Sequence, residues 1–210
     1  NQSVAIIGAT GCGKTTLLVQ IGYNIIRPFK TACMFHDDLE GGSTFIDAMS
    51  IQCRTVTELG EAASAIRAKN TEVGHNFYDH ITIDNATRLE EICLSYAASL
   101  YRNTPVGKNW KGTDVRLLPN GSGYLFIRQA VRKVIDMFRE LTNEFILVGH
   151  VKDVQIDNNG EELSEMALDL VGKLSQIICG EADAVGLVFR KGNETHISFK
   201  GGDGSIKEAR

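Results

Sequence analysis

The segment Gly8-Ala9-Thr10-Gly11-Cys12-Gly13-Lys14-Thr15 satisfies the pattern G-x-x-x-x-G-K-[ST] at every fixed position. Residues of these types at this spacing bind polyphosphate. The glycines let the backbone wrap an anion with no Cβ in the way. Amide N–H groups of the turn, and of a helix opening after it, point at that anion. Gly8, Ala9, Thr10, Gly11, Cys12, Gly13, Lys14, Thr15 and Thr16 are the expected cradle for a nucleoside triphosphate. Lys14, expected on a solvent-facing loop, would reach the β- and γ-phosphates as a point charge. Thr15 would place its hydroxyl on Mg²⁺.

Other side chains complete the candidate chemistry. Ile81-Thr82-Ile83-Asp84 ends an apolar run on a carboxylate, placed either to hold Mg²⁺ with Thr15 or simply to act as a cap. The acids of Asp37-Asp38-Leu39-Glu40 offer a general base for an attacking water, with Glu40 the first choice and Asp38 the second. Their alternative is a solvated turn. His150 either donates a hydrogen bond to the γ-phosphate or is a satisfied structural residue. Arg102, Lys108, Lys111 and Arg116 surround Trp110, with Tyr101 beside them. Cations for phosphates and a ring for a base are what a single-strand contact needs; a solvated loop is the alternative. Arg190 and Lys191, at the mouth of a C-terminal hairpin, are either ordinary hairpin charges or groups that act across a subunit boundary on a neighbour's γ-phosphate.

Short β-like runs alternating with helical ones must position these groups, which predicts a parallel sheet with helices on its faces. Strands are expected at 4–7, 31–35, 51–54, 78–84 and 144–149, with a closing hairpin from 184–189 and 195–199. Helices are expected after the phosphate loop and over 44–49, 58–69, 89–100, 124–141 and 169–179, with Thr57 capping the third. The segments 101–123 and 152–169 read as mobile loops, the second with a polar stretch over 155–165.

At 210 residues and 43% hydrophobic, residues 1–210 are expected to form one domain with ample core. The net charge of −4 gives no overall basic field, so any attraction to nucleic acid must be local. No apolar run approaches 18 residues, which speaks against a membrane. The five cysteines, Cys12, Cys33, Cys53, Cys93 and Cys179, show no C-x-x-C spacing. They read as buried thiols of a reducing, cytoplasmic compartment.

The order of these parts resembles the RecA-like P-loop ATPase core, and within it the phage-type AAA-domain proteins related to single-strand annealing proteins. The resemblance implies an α/β, three-layer fold with a mainly parallel central sheet and a C-terminal β-hairpin. It makes Gly8–Thr15 the Walker A loop and Asp84 the Walker B acid. The catalytic glutamate falls on Glu40 or, on a tighter alignment, Asp38. The polar sensor falls on His150, where recombinases carry Gln. The DNA loops correspond to 101–123 and 152–169, the second acidic here, and the trans-acting residues to Arg190 and Lys191. The implied activity is Mg²⁺-dependent ATP hydrolysis on single-stranded DNA in recombination or annealing. The implied partners are a homo-oligomer and a single-strand-binding protein, in the cytoplasm of a bacterial host. A nucleotide-dependent protein-binding switch and a small-molecule phosphotransferase are the alternatives.

Overall fold

The computed structural model describes residues 2–21, 34–39, 50–158 and 161–199. The apolar run Gln2–Gly8 is β1, and α1, Lys14–Ile21, opens at once from the glycine-rich turn. Strands β2 (Met34–Asp38), β3 (Ser50–Ile51) and β4 (His80–Asp84) come next, with α2 (Val56–Val73) before β4. Helix α3 spans Ala86–Arg102 and α4 spans Gly123–Arg139. Strands β5 (Glu144–Asn158) and β6 (Glu161–Leu168) precede α5 (Leu174–Glu181). Strands β7 (Ala184–Lys191) and β8 (Glu194–Ser198) close the described chain.

Among the described residues the strand order is β3-β2-β4-β5-β1-β7-β8. Every neighbouring pair along it is parallel except the β7–β8 hairpin. Strand β6 pairs antiparallel with β5, off that path. The fold is therefore α/β, a mixed and mostly parallel sheet flanked by helices, with the expected hairpin at its end. Right-handed crossovers fix which face each helix takes. The connection from β1 to β2 runs one way along the sheet, and those into β4, β5 and β7 run the other way. Accordingly α1 packs on one face, where Leu18 and Cys12 meet Ile6, Val148 and Val188. The apolar sides of α2 to α5 share the other face with Ile7, Ile81, Ile83, Phe145 and Leu147.

Several local expectations change. Thr55, not Thr57, caps α2: its hydroxyl accepts the N–H of Glu58 at 3.2 Å, and the Glu58 carboxylate reaches back to the N–H of Arg54. The polar stretch 155–165 is hairpin rather than loop, because β5 runs on past His150 and pairs with β6 from Val151↔Leu168 to Asn158↔Glu161. Helix α5 consequently begins at Leu174 rather than 169. The expected helix over 44–49 lies outside the described residues, as do residues 31–33 of the expected second strand. Segment 101–123 contains two single 3-10 turns, Val115–Leu117 and Pro119–Gly121, and Val115 and Leu118 are buried in the core. Among the described residues no helix is long and apolar enough to cross a membrane.

Candidate nucleotide site

Parallel strands bring their C-terminal ends to one edge, and the candidate residues are gathered there. Gly8 at the end of β1 stands opposite His150 of β5. Asp84 at the end of β4 stands opposite Asp38 of β2. Strand β5 lies between β1 and β4, so His150 is interposed between the loop and the acidic strand. Gly11 and Gly13 hold φ of 73° and 98°, a region closed to most side chains. The turn thereby reverses into α1, whose first bond runs from the N–H of Leu17 to the carbonyl of Gly13 at 2.9 Å.

Lys14 is 6% exposed, not solvent-facing as expected. Its ammonium donates to the carbonyls of Gly8 and Ala9, each at 2.9 Å, because a buried cation must be surrounded by acceptors. The Thr15 hydroxyl donates to the Asp84 carboxylate, which is itself buried. Asn85 comes directly after that acid and caps α3: its Oδ1 accepts the N–H of Arg88 at 3.0 Å. The cap fixes the amide, so its Nδ2 faces Nε2 of His150 at 3.0 Å. Nε2 must then accept, and in the neutral ring the proton sits on Nδ1. That nitrogen lies 3.3 Å from the Thr10 hydroxyl and 3.4 Å from the Lys14 ammonium. With its proton on Nδ1 the ring donates to the Thr10 hydroxyl, and the imidazole thus presents its donor to the loop.

A loop with backbone amides and a lysine, a hydroxyl–carboxylate pair beside it and an imidazole donor opposite suit a polyphosphate with a hard cation. The sequence matches the AAA domain family across residues 1–207. The chain belongs to that family. No match is found among curated proteins. AAA domain membership carries nucleotide binding and the NTPase class, within the P-loop superfamily.

In this AAA domain the acids divide by face. Asp38 shares the pleat side of Asp84 and is 3% exposed. Asp37 points the other way and is fully buried, its Oδ1 accepting the N–H of Cys53 at 3.2 Å. Burial pushes the Asp37 carboxyl above its usual range; Asp38 and Glu58 add to this, and the bonds from Cys53 oppose it. Glu40 lies outside the described residues. Arg190 is exposed and lines a groove with loop residues 9–12 of its own chain, and its neighbour Lys191 is also exposed.

The five basic and aromatic candidates of segment 101–123 are not equivalent. Trp110 is half-buried, edge-on to Tyr101 at 5.2 Å, with the Arg102 guanidinium 5.4 Å over its ring. Arg102 also donates to the carbonyl of Gly112 at 2.8 Å. Arg116 clasps Asp114 through Nε and Nη2, at 2.9 and 2.6 Å, and these bonds hold the Asp114 carboxyl below its usual range. Lys108 and Lys111 are exposed.

Asn85 and Thr195 were missed in the sequence. Thr195 of β8 packs on the loop, where a Cβ at Gly13 would stand 3.2 Å from its hydroxyl. An Asn directly after a strand and before an apolar helical run is an N-cap signal, but nothing local pairs it with a His in another strand. Cys12, Cys53, Cys93 and Cys179 are buried and free, while Cys33 lies outside the described residues. Burial pushes the Cys93 thiol up to about 12 and that of Cys179 to about 11, which marks them as packing groups.

Proposed function

We propose that this AAA domain binds and hydrolyses ATP with Mg²⁺ and couples that cycle to single-stranded DNA. The observation that carries the nucleotide half is the convergence of Lys14, Thr15, Asp84 and His150 at one sheet edge. Lys14 exchanges its two carbonyl partners for phosphate oxygens and stays desolvated throughout. Thr15 and Asp84, already bonded to each other, supply oxygen donors of the kind Mg²⁺ takes, with water and phosphate completing the shell. Among the described residues no group of three or more His, Cys, Asp or Glu side chains could hold a metal. Two protein oxygens are enough for a cation that arrives with its nucleotide. When bound, Mg²⁺ neutralises charge on the β- and γ-phosphates. His150 donates through Nδ1 to the terminal phosphate, and Asn85 keeps that nitrogen protonated. Asp38 or Glu40 accepts the proton of the attacking water, and Asp38 is the one found on the Asp84 side of β2.

The DNA half rests on exposed Lys108 and Lys111 and on the resemblance to annealing proteins; Lys191 is proposed to act toward a second copy in an oligomer, while Arg190 lines a groove with its own chain's loop. The test is ATP binding and turnover in wild type and Lys14→Ala, each with and without single-stranded DNA. Wild type is expected to bind ATP, to turn it over faster with DNA, and to lose both on Lys14→Ala. Equal nucleotide affinity in the two proteins would remove the site assignment. DNA-insensitive turnover would remove the DNA half alone.

A further inference from the structure

Beside the phosphate loop runs a groove of about 550 Å³, within the roughly 300–1,000 Å³ of small-molecule sites. One wall is the loop itself, residues 9–12. The others are Val151 at the root of β5, Met166 of β6, and Leu187, Phe189 and Arg190 of β7. Phe189 is 39% exposed, unusual for a phenylalanine on a strand that is otherwise buried through Val188. Its ring lies parallel to the imidazole of His196, 18° apart with centroids at 5.6 Å. The two residues are direct cross-strand partners in the β7–β8 hairpin. One face of the ring is thus covered by the imidazole, and Phe189 is among the residues that line the groove.

The polarity of a bound triphosphate is set by the site already described. Thr15, Asp84 and His150, the groups proposed for the terminal phosphate and its cation, lie on the β4–β5 side of the loop. The nucleoside end must leave elsewhere, and β7 borders β1 on its opposite side. We infer that this groove is the nucleoside subsite, in which the base stacks on Phe189. The inference rests on the triphosphate reading above and adds which residue holds the base. The described walls carry apolar side chains, the Thr10 hydroxyl and Arg190, with no Asn, Gln, Asp or Glu to read a base edge. A site that stacks rather than reads hydrogen bonds discriminates weakly, so purine identity matters little.

The test is equilibrium binding of ATP, GTP and inorganic tripolyphosphate to wild type, Phe189→Ala and Phe189→Leu, with melting temperatures measured alongside. Wild type is expected to bind ATP and GTP within about tenfold of each other, and both at least about tenfold more tightly than tripolyphosphate. Phe189→Ala is expected to weaken both nucleotides about five- to a hundredfold and to leave tripolyphosphate unchanged; Phe189→Leu, apolar but without a ring, is expected to lose most of the same affinity. Wild type that binds tripolyphosphate as tightly as ATP overturns the subsite without any variant. So does a Phe189→Ala protein that weakens all three ligands equally or none, and so does an ATP–GTP preference well beyond tenfold. Failure of wild type to bind all three overturns the phosphate site beneath it, a different result from failure of the subsite alone.

Discussion

The hydrogen bond from Asn85 to His150 is open to a sharp test. Asn85→Ser keeps an oxygen able to cap α3, since Ser and Asn are comparable N-caps, but its side chain is too short to reach Nε2 of His150. The imidazole then loses the donor that holds its proton on Nδ1. The ring is free to present a bare Nδ1 to Lys14, 3.4 Å away, and to withdraw its donor from the phosphate. One net neutral hydrogen bond amounts to about 0.5–1.5 kcal/mol, so ATP affinity should fall roughly two- to tenfold. His150→Ala removes the donor to a charged phosphate outright, about 1.5–3 kcal/mol, or roughly ten- to 150-fold. Asn85→Ser in the His150→Ala background should then add nothing. Asn85→Ala forfeits the cap as well, about 1 kcal/mol, and should melt about 2–4 °C lower than Asn85→Ser. Calorimetric ATP binding across wild type and the four variants, with thermal melts, separates the terms. If Asn85→Ser weakens binding as much without His150 as with it, the tautomer argument is wrong.

Two further outcomes concern buried groups. The Asp37 carboxyl is raised in the fold, so the folded chain holds that proton to higher pH than the unfolded chain does. Its stabilising contribution is complete below about pH 4, the unfolded carboxyl range, and is lost as pH rises through the raised value. Asp37→Asn should therefore melt higher than wild type at neutral pH, with the gap closing as pH falls through the raised value toward about 4; a gap independent of pH would refute this. Trp110→Ala should lower the melting temperature by about 4–8 °C, on a loss of about 2 kcal/mol from a half-buried ring. Joint Lys108→Ala and Lys111→Ala changes should leave melting unchanged and reduce the salt slope of DNA binding by at most about two. Fluorescence anisotropy over a salt series reads the second, and an unchanged slope would leave the DNA proposal without its cations.

The phosphate loop and Asp84 were legible because each is a local pattern: a glycine spacing, and an acid closing an apolar run. The β5–β6 hairpin was legible too, and was misread. Val154 and Ile156 alternate with polar residues before Asn159-Gly160, a dipeptide that is the sequence signature of a hairpin turn. The acids around that dipeptide suggested a loop, although the backbone pairs as a hairpin on either side of it. The role of Asn85 was not legible, because its partner lies 65 residues away and the two meet only when β4 and β5 pair. Trp110 was open to either reading for the same reason. Whether a ring beside cations faces solvent or packs depends on Tyr101 and on where α3 ends.

Strand β5 belongs to two sheets, and this gives it the mechanics of a lever. Its first half is clamped between β1 and β4, and its second half, Val151–Asn158, leaves them to pair, among the described residues, with β6. The pivot is at His150, against the loop. The arm, held at its root by packing of Val151 on the core and by Lys152 on the carbonyl of Leu170, is about 26 Å long at the usual strand rise. A tilt of about 5° at the pivot would sweep the far end through about 2 Å, given that arm length. A displacement too small to disturb packing at the phosphate edge would thus arrive at the outer hairpin enlarged, with the direction of its stroke set by the pleat of one strand.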